Sequence, residues 1–209
     1  MKNKALLYAV ESTDNLEQAK DLVRRFLLVN EDLSAMGKFD LLKYVEKNNI
    51  HPVMQGVMHE NGKMIATNSC ILVAVDREYS PELEGKVIDK NGLELYGTFP
   101  NWQSVIPNSG GELHDLPDAE KYRDLVREYK LIKKQDRISG KKTTVAYKLH
   151  DGLCFLMENL ILLYEACKEL GASQVDTYGV GRAIKAESEK GVAILMPVIS
   201  EDGLFILND

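Results

Sequence analysis

Apolar residues recur at helical intervals near the start of the chain. Leu16, Ala19, Val23, Phe26 and Leu27 fall on one face of residues 14 to 28, and Asp14 followed by Glu17 provides a capping-box start. The pattern predicts an amphipathic N-terminal helix. Phe39, Leu42 and Val45 predict a second helix from Lys38 to Asn48, stopping at Asn48-Asn49 before Pro52. The period then shortens to that of strands. Val53 to His59 and Met64 to Val75 flank Glu60-Asn61-Gly62-Lys63, where Asn-Gly supplies the positive φ angles of a tight hairpin. Lys86-Val87-Ile88 predicts another short strand, and Asp89-Lys90-Asn91-Gly92 a turn.

From Pro107 to Pro117 the chain contains Asn108-Ser109-Gly110-Gly111 and reads as a loop, the best internal boundary. Beyond it, Glu120 to Tyr129 is expected to be helical and Thr143 to Leu149 alternates like a strand. Phe155, Leu156, Leu160, Leu163, Tyr164, Cys167 and Leu170 then mark the clearest helix, with Asp151 to cap its start and Gly171 suited to the left-handed position after its end. Strands are expected over Gln174 to Tyr178, Arg182 to Glu187 and Val192 to Ile199, the last two joined by Glu189-Lys190-Gly191. Glu201-Asp202-Gly203 and Leu204 to Leu207 read as a turn and an edge strand, forming a hairpin with Val192 to Ile199. A helix followed by strands thus occurs twice.

Composition narrows the class. With 209 residues and 44% hydrophobic content the chain can fill a core, so a soluble globular protein is expected. A net charge of −6 argues against a surface coated in cations but leaves room for a local basic patch. Cys70, Cys154 and Cys167 show no CxxC spacing, and no apolar signal region follows Met1-Lys2-Asn3-Lys4, which together predict free thiols in a reducing cytoplasm. Apolar runs such as Leu160 to Tyr164 fall far short of the roughly 20 residues that cross a bilayer, so no membrane partner is expected.

No catalytic constellation emerges. His51, His59, His114 and His150 lack metal spacing, and no cysteine joins them in a zinc pattern. Cys70 on an apolar strand reads as a small core residue. Gly179-Val180-Gly181 lacks the third glycine of a nucleotide loop, and Glu82 and Glu84 lie in a charged stretch. The expectation is a protein without enzymatic activity, metal or cofactor.

Three separated segments carry a family resemblance: Ala66-Thr67-Asn68-Ser69-Cys70-Ile71-Leu72, Phe99-Pro100-Asn101-Trp102-Gln103-Ser104-Val105-Ile106-Pro107 and Ala193-Ile194-Leu195-Met196-Pro197-Val198-Ile199. In this order they resemble the ATDGHRL, FPDYRRVLP and YVVMPMR segments of the bacterial DNA polymerase III beta sliding clamp. The resemblance covers about residues 34 to 200, with a long unmatched insertion. It implies an α+β, DNA-clamp-like domain of two helix-plus-antiparallel-strand halves, about 34–107 and 118–200. An N-terminal helical extension, 1–33, precedes this domain, and a C-terminal turn and edge strand or tail, 201–209, follows it.

In the family these segments build an apolar pocket for short linear peptides of partner proteins. Carried over, they make Thr67, Ser69, Cys70, Leu72, Pro100, Val105, Leu195, Met196, Pro197 and Val198 the candidates for a peptide-binding groove, a surface to which Met is suited because it repacks easily. The family's charged rim is altered: Asn68, Ser69, Cys70 and Ile71 replace Asp, Gly, His and Arg, Gln103-Ser104 replaces the Arg pair, and Ile199 the last Arg. A structural relic of a clamp, without DNA function, is the alternative.

Clamps also hold DNA through basic helices, since phosphates dominate sequence-independent affinity. Here basic density falls at Lys121, Arg123, Arg127, Lys130, Lys133, Lys134, Arg137, Lys141 and Lys142, which outnumber Asp124, Glu128 and Asp136, with Tyr122 and Tyr129 interleaved as base-stacking residues can be. These nine are the nucleic-acid candidates; a solvated helix face is the other reading. A clamp ring uses six such domains, so a monomer or dimer is expected in preference to a closed ring. Glu201 to Phe205 also loosely resembles a clamp-binding pentapeptide, leaving a docking tail as the alternative to the edge strand.

Overall fold

The computed structural model describes residues 10–13, 15–35, 40–48, 51–107, 110–149, 153–179, 181–198 and 202–207. The chain divides into two compact units, Met1–Asn101 and Trp102–Asp209.

In the first unit, helix α1 spans Leu16–Ala35. Asn15 caps it, its side-chain oxygen accepting the Glu17 N–H at 2.9 Å; Asp14, the expected cap, lies outside the described residues. Phe26 is half-buried and meets the turn at Gly92 so closely that a Cβ on that glycine would lie 2.6 Å from the Phe26 Cα. An ion pair of 2.7 Å between Arg24 and Glu82 also ties α1 to this unit.

The helix expected over 38 to 48 is replaced, among the described residues, by one 3-10 turn at Leu41–Lys43. Backbone donors there find non-helical acceptors: Leu42 N–H bonds to the Asp40 carboxylate, Lys47 and Asn48 N–H to that of Glu46, and Glu46 N–H to the Met54 carbonyl. One turn suffices to bury Leu41, Tyr44 and Val45.

Five strands follow: β1 Val57–Glu60, β2 Lys63–Thr67, β3 Ile71–Asp76, β4 Val87–Ile88 and β5 Glu94–Leu95. They pair antiparallel in the order β5-β4-β1-β2-β3. The Asn-Gly hairpin is present, with Asn61 at φ 54°, Gly62 at φ 74° and Glu60 opposite Lys63. The strand expected from Val53 starts instead at Val57, because Pro52 opens a 3-10 turn at Pro52–Gln55. The strand expected from Met64 to Val75 is two strands folded back at Asn68-Ser69-Cys70. Ile65, Ala66, Val73 and Ala74 have no exposed surface and form the heart of this unit.

The second unit opens with a 3-10 turn at Trp102–Val105, Trp102 being buried. The segment expected to be a loop contains strand β6, Glu112–Asp115, which pairs with β9 over four register positions. Helix α2 spans Ala119–Ser139, well beyond the expected end at Tyr129. After β7, Thr144–Lys148, and β8, Cys154–Leu156, comes helix α3, Met157–Leu170. Phe155 and Leu156 therefore belong to a strand and its junction, not to the first helical turn, and Asp151 lies outside the described residues. Gly171 takes the expected left-handed position, φ 77°.

Strands β9 Gln174–Thr177, β10 Ile184–Ser188 and β11 Gly191–Leu195 form an antiparallel order β11-β10-β9-β6. Leu160, Leu163, Ala166, Cys167 and Leu170 of α3 are buried, and the helix packs on β11 and β7. Strand β12, Leu204–Leu207, is an edge strand but not a hairpin partner of Val192 to Ile199; it runs parallel to β7, Leu204 opposite Thr144 and Leu207 opposite Tyr147. Among the described residues, three α-helices and twelve strands make an α+β chain with an N-terminal helix, and no helix is long and apolar enough to cross a membrane.

Candidate functional site

In the first unit, the Ala66-to-Leu72 segment is the turn between β2 and β3. Thr67 and Leu72 close the hairpin as a register pair, both buried at 6% exposure. The Thr67 hydroxyl donates to the Ile71 carbonyl at 2.8 Å and accepts the Ser69 N–H at 3.2 Å. The Asn68 side-chain oxygen accepts from Cys70 N–H at 3.0 Å and Ile71 N–H at 2.9 Å. Ser69 sits at φ 73°, a left-handed conformation that favours glycine. Ser69 is thus exposed at the tip, Cys70 is half-buried behind it, and Pro100 is exposed elsewhere in the unit.

In the second unit, the other two segments meet. Trp102 anchors a 3-10 turn that leaves Val105 44% exposed. At the end of β11, Leu195 is wholly buried, but Pro197 has no N–H to continue the ladder, and Met196 turns out with 44% of its surface exposed. Pro197 and Val198 are half-buried, and the Val198 N–H donates to the Cys154 carbonyl at 2.7 Å, fixing the exit path. Val105 and Met196 line one open hollow of about 770 Å³ together with Ile106, Pro107, Tyr178 and Arg182. The last two come from the β9–β10 connection, where Gly179 and Gly181 have φ 93° and 74°. In the sequence those glycines lack the third glycine of a nucleotide loop. They instead form a tight turn at the hollow's edge, and the sole signal for it was their pairing between two strand patterns.

The nine basic candidates separate by environment. Helix α2 starts at Asp118, whose carboxylate accepts the Glu120 and Lys121 N–H groups at 2.9 and 2.8 Å; these bonds hold its pKa below the usual carboxylate value. Lys133 donates to the Thr143 carbonyl at 2.6 Å, lies 4.0 Å from Asp136 and covers the Tyr129 ring at 5.6 Å. Asp136 accepts the N–H and hydroxyl of Thr143 at 2.9 and 2.7 Å, which lower its pKa. Lys121 is half-buried, and Lys141 and Lys142 follow the left-handed Gly140. Arg123, Arg127, Lys130, Lys134 and Arg137 are exposed. Tyr122 stacks on Tyr164 of α3, centroids 3.6 Å apart and planes at 7°, and burial pushes its hydroxyl up to about 12. Tyr122 is therefore not presented for base stacking, and Tyr129 is half-buried with Lys133 over its ring.

Residues of catalytic type have structural partners. His59 is buried, its Nδ1 3.2 Å from the Lys86 carbonyl oxygen, and burial lowers its pKa. Glu84 accepts from Asn61 N–H and the Tyr79 hydroxyl, and Glu82 pairs with Arg24. Burial pushes the Cys167 thiol up to about 12, away from thiolate chemistry. Among the described residues no group of three His, Cys, Asp or Glu side chains could hold a metal ion.

No protein-family model matches the sequence, and no curated protein sequence matches it. Solved structures share the fold. The Helicobacter pylori beta clamp bound to a DNA ligase peptide superposes with a TM-score of 0.53 at 12% identity, over 83% of this chain and 64% of that one. The DNA polymerase III beta subunit of Thermotoga maritima gives 0.51 at 10% identity, over 77% and 62%. This chain therefore has the fold of bacterial sliding clamps, and the match spans less than two thirds of those chains.

Proposed function

We propose that this protein is a cytoplasmic, non-enzymatic clamp-like interaction module of DNA replication or repair that captures a short peptide of a partner protein. The observation that carries the reading is the convergence of Val105 and Met196, about ninety residues apart, on one open hollow with Ile106 and Pro107. Val105, Ile106, Pro107 and Met196 give it an apolar edge for a few side chains, beside the polar Glu112, Thr177 and Arg182, and a flexible thioether adapts to their shape. The Helicobacter clamp with the same fold is bound to a DNA ligase peptide. Leu195 serves as buried support, while Pro197 and Val198 set the direction in which Met196 leaves the sheet. In the first unit, Ser69, Cys70 and Pro100 are the accessible candidates and Thr67 and Leu72 hold the turn that displays the first two.

A fluorescent peptide of the pattern Gln-x-x-Leu-Phe, titrated against wild type and Met196→Glu, tests the reading. Saturable binding weakened at least tenfold by the substitution is expected, since a carboxylate in an apolar contact costs more than the roughly 1.4 kcal/mol of one decade. No saturable binding to wild type would refute it. Cys70→Glu tests the first unit in the same assay. The oligomer is proposed to be a monomer or dimer, and light scattering giving a hexamer would contradict that.

A further inference from the structure

The hollow that holds Val105 and Met196 is bordered by the ends of four strands of the second unit. Register sets Leu195 of β11 opposite Ile184 of β10, Lys185 of β10 opposite Asp176 of β9, and Thr177 of β9 opposite Glu112 of β6. Leu195, Ile184, Thr177 and Glu112 therefore stand in one row across the sheet. Met196 follows β11 and Arg182 precedes β10 at this same end. At about 4.8 Å per strand, Arg182 is one lateral step from Met196, whereas Glu112 is three steps away, about 14 Å. Both charged residues line the hollow and both are exposed. Its floor thus runs from apolar through cationic to anionic.

Neither charge is spent on the fold. Among the described residues the Arg182 guanidinium has no ion-pair or hydrogen-bond partner. Asp176 and Glu187 are held by Lys185, at 3.4 and 2.6 Å. The Glu112 carboxylate, on a side chain 80% exposed, lies 3.9 Å from His114 Nε2 and pairs with no lysine or arginine among the described residues. The backbones that carry the two charges are fixed. Arg182 N–H donates to the Gly179 carbonyl at 3.2 Å across the turn, and the Glu112 carbonyl accepts from the Thr177 hydroxyl at 3.3 Å. We infer that the hollow selects a bipolar peptide, with an apolar anchor at Met196, an acidic side chain at Arg182 and a basic one at Glu112; this rests on the hollow being a peptide site. An extended chain advances about 3.3 Å per residue, so the acid falls one or two positions from the anchor and the base about four or five. A planar guanidinium suits a carboxylate through paired N–H donors. Peptides with the two charges exchanged are rejected, because each then meets its like.

The test is fluorescence anisotropy of labelled, C-amidated peptides on the full chain. The probe is Gln-Ser-Ser-Leu-Phe-Ser-Asp-Ser-Ser-Lys, with a second peptide that places the charged residues before the Leu-Phe anchor, since the chain can cross the strand ends in either direction. Each is compared with a neutral version carrying Asn and Gln, and with one in which Asp and Lys are exchanged. In one of the two directions the charged peptide should bind about tenfold more tightly than the neutral one, about threefold from each exposed pair, and the preference should shrink as salt rises. Arg182→Gln and Glu112→Gln should each remove about a threefold share while leaving the affinity for the neutral peptide unchanged. Arg182→Glu should come to prefer Lys in place of Asp. Equal binding of charged and neutral peptides in both directions overturns the inference and leaves the peptide hollow standing, as does a preference that survives Arg182→Gln. Failure of every peptide to bind overturns the peptide hollow and the inference with it.

Discussion

Replacing Ser69 by glycine should stabilise the protein, while replacing its neighbour Asn68 by alanine should do the reverse. Ser69 is held at φ 73° at the tip of the β2–β3 turn. An L-residue in that region costs about 1 to 2 kcal/mol, and glycine avoids this at the expense of about 0.5 to 1 kcal/mol of unfolded-chain entropy. The net expectation is a gain of about 0.5 to 1 kcal/mol, or about 1 to 4 °C in Tm for a chain of this size. Asn68→Ala deprives the Cys70 and Ile71 N–H groups of their acceptor. At about 0.5 to 1.5 kcal/mol per bond this costs about 1 to 3 kcal/mol. Urea denaturation followed by far-ultraviolet circular dichroism measures both. A Ser69→Gly midpoint that falls alongside Asn68→Ala would refute the view that the backbone at 69 is strained.

Deleting residues after Ser200 should lower Tm, because it strips β12 from β7 and removes the buried side chain of Leu207, only 3% exposed; the single change Leu207→Ala should cost about 2 to 5 kcal/mol in thermal or urea denaturation. Gly92→Ala should destabilise the first unit by at least about 1 kcal/mol, since it places a Cβ against the Phe26 backbone at φ 79°, and limited proteolysis should cut α1 faster in that variant. His59 has a folded pKa below its ordinary 6.5, so the unfolded chain binds more protons; its contribution to stability is complete above about pH 6.5 and is lost as pH falls toward the folded value. A urea series from pH 8 to pH 5 should show that decline, and His59→Phe should flatten it above the carboxylate range.

Features dictated by neighbours in the chain were legible in the sequence. Asn61-Gly62 and Gly171 adopt the positive φ angles their residue types favour, and each ends its element where the pattern said it would. The interruption at Asn68-Ser69 is hidden in the sequence because apolar residues continue on both sides of a turn only three residues long. Cys154 to Leu156 merged with α3 because a short apolar run has the same appearance in a buried strand and in a first helical turn. The pairing of β12 with β7 depends on contacts some sixty residues apart, which local pattern does not encode. The site divides likewise. Val105 and Met196 stood out through resemblance, whereas Tyr178 and Arg182 lie beside a turn with no period of its own.

The fastening of α2 at both ends also fixes the thermodynamic character of anything that binds along it. Flexible basic tails fold as they bind, and their association carries the heat-capacity change and ordering entropy of a coupled transition. Here the Tyr122–Tyr164 stack and the Asp136–Thr143 bonds are already formed in the free protein. Calorimetry of a polyanion on this face should show a small heat-capacity change and an association driven by the entropy of released counterions, with no gain in helical circular dichroism. The helix works as a fixed ruler of charge.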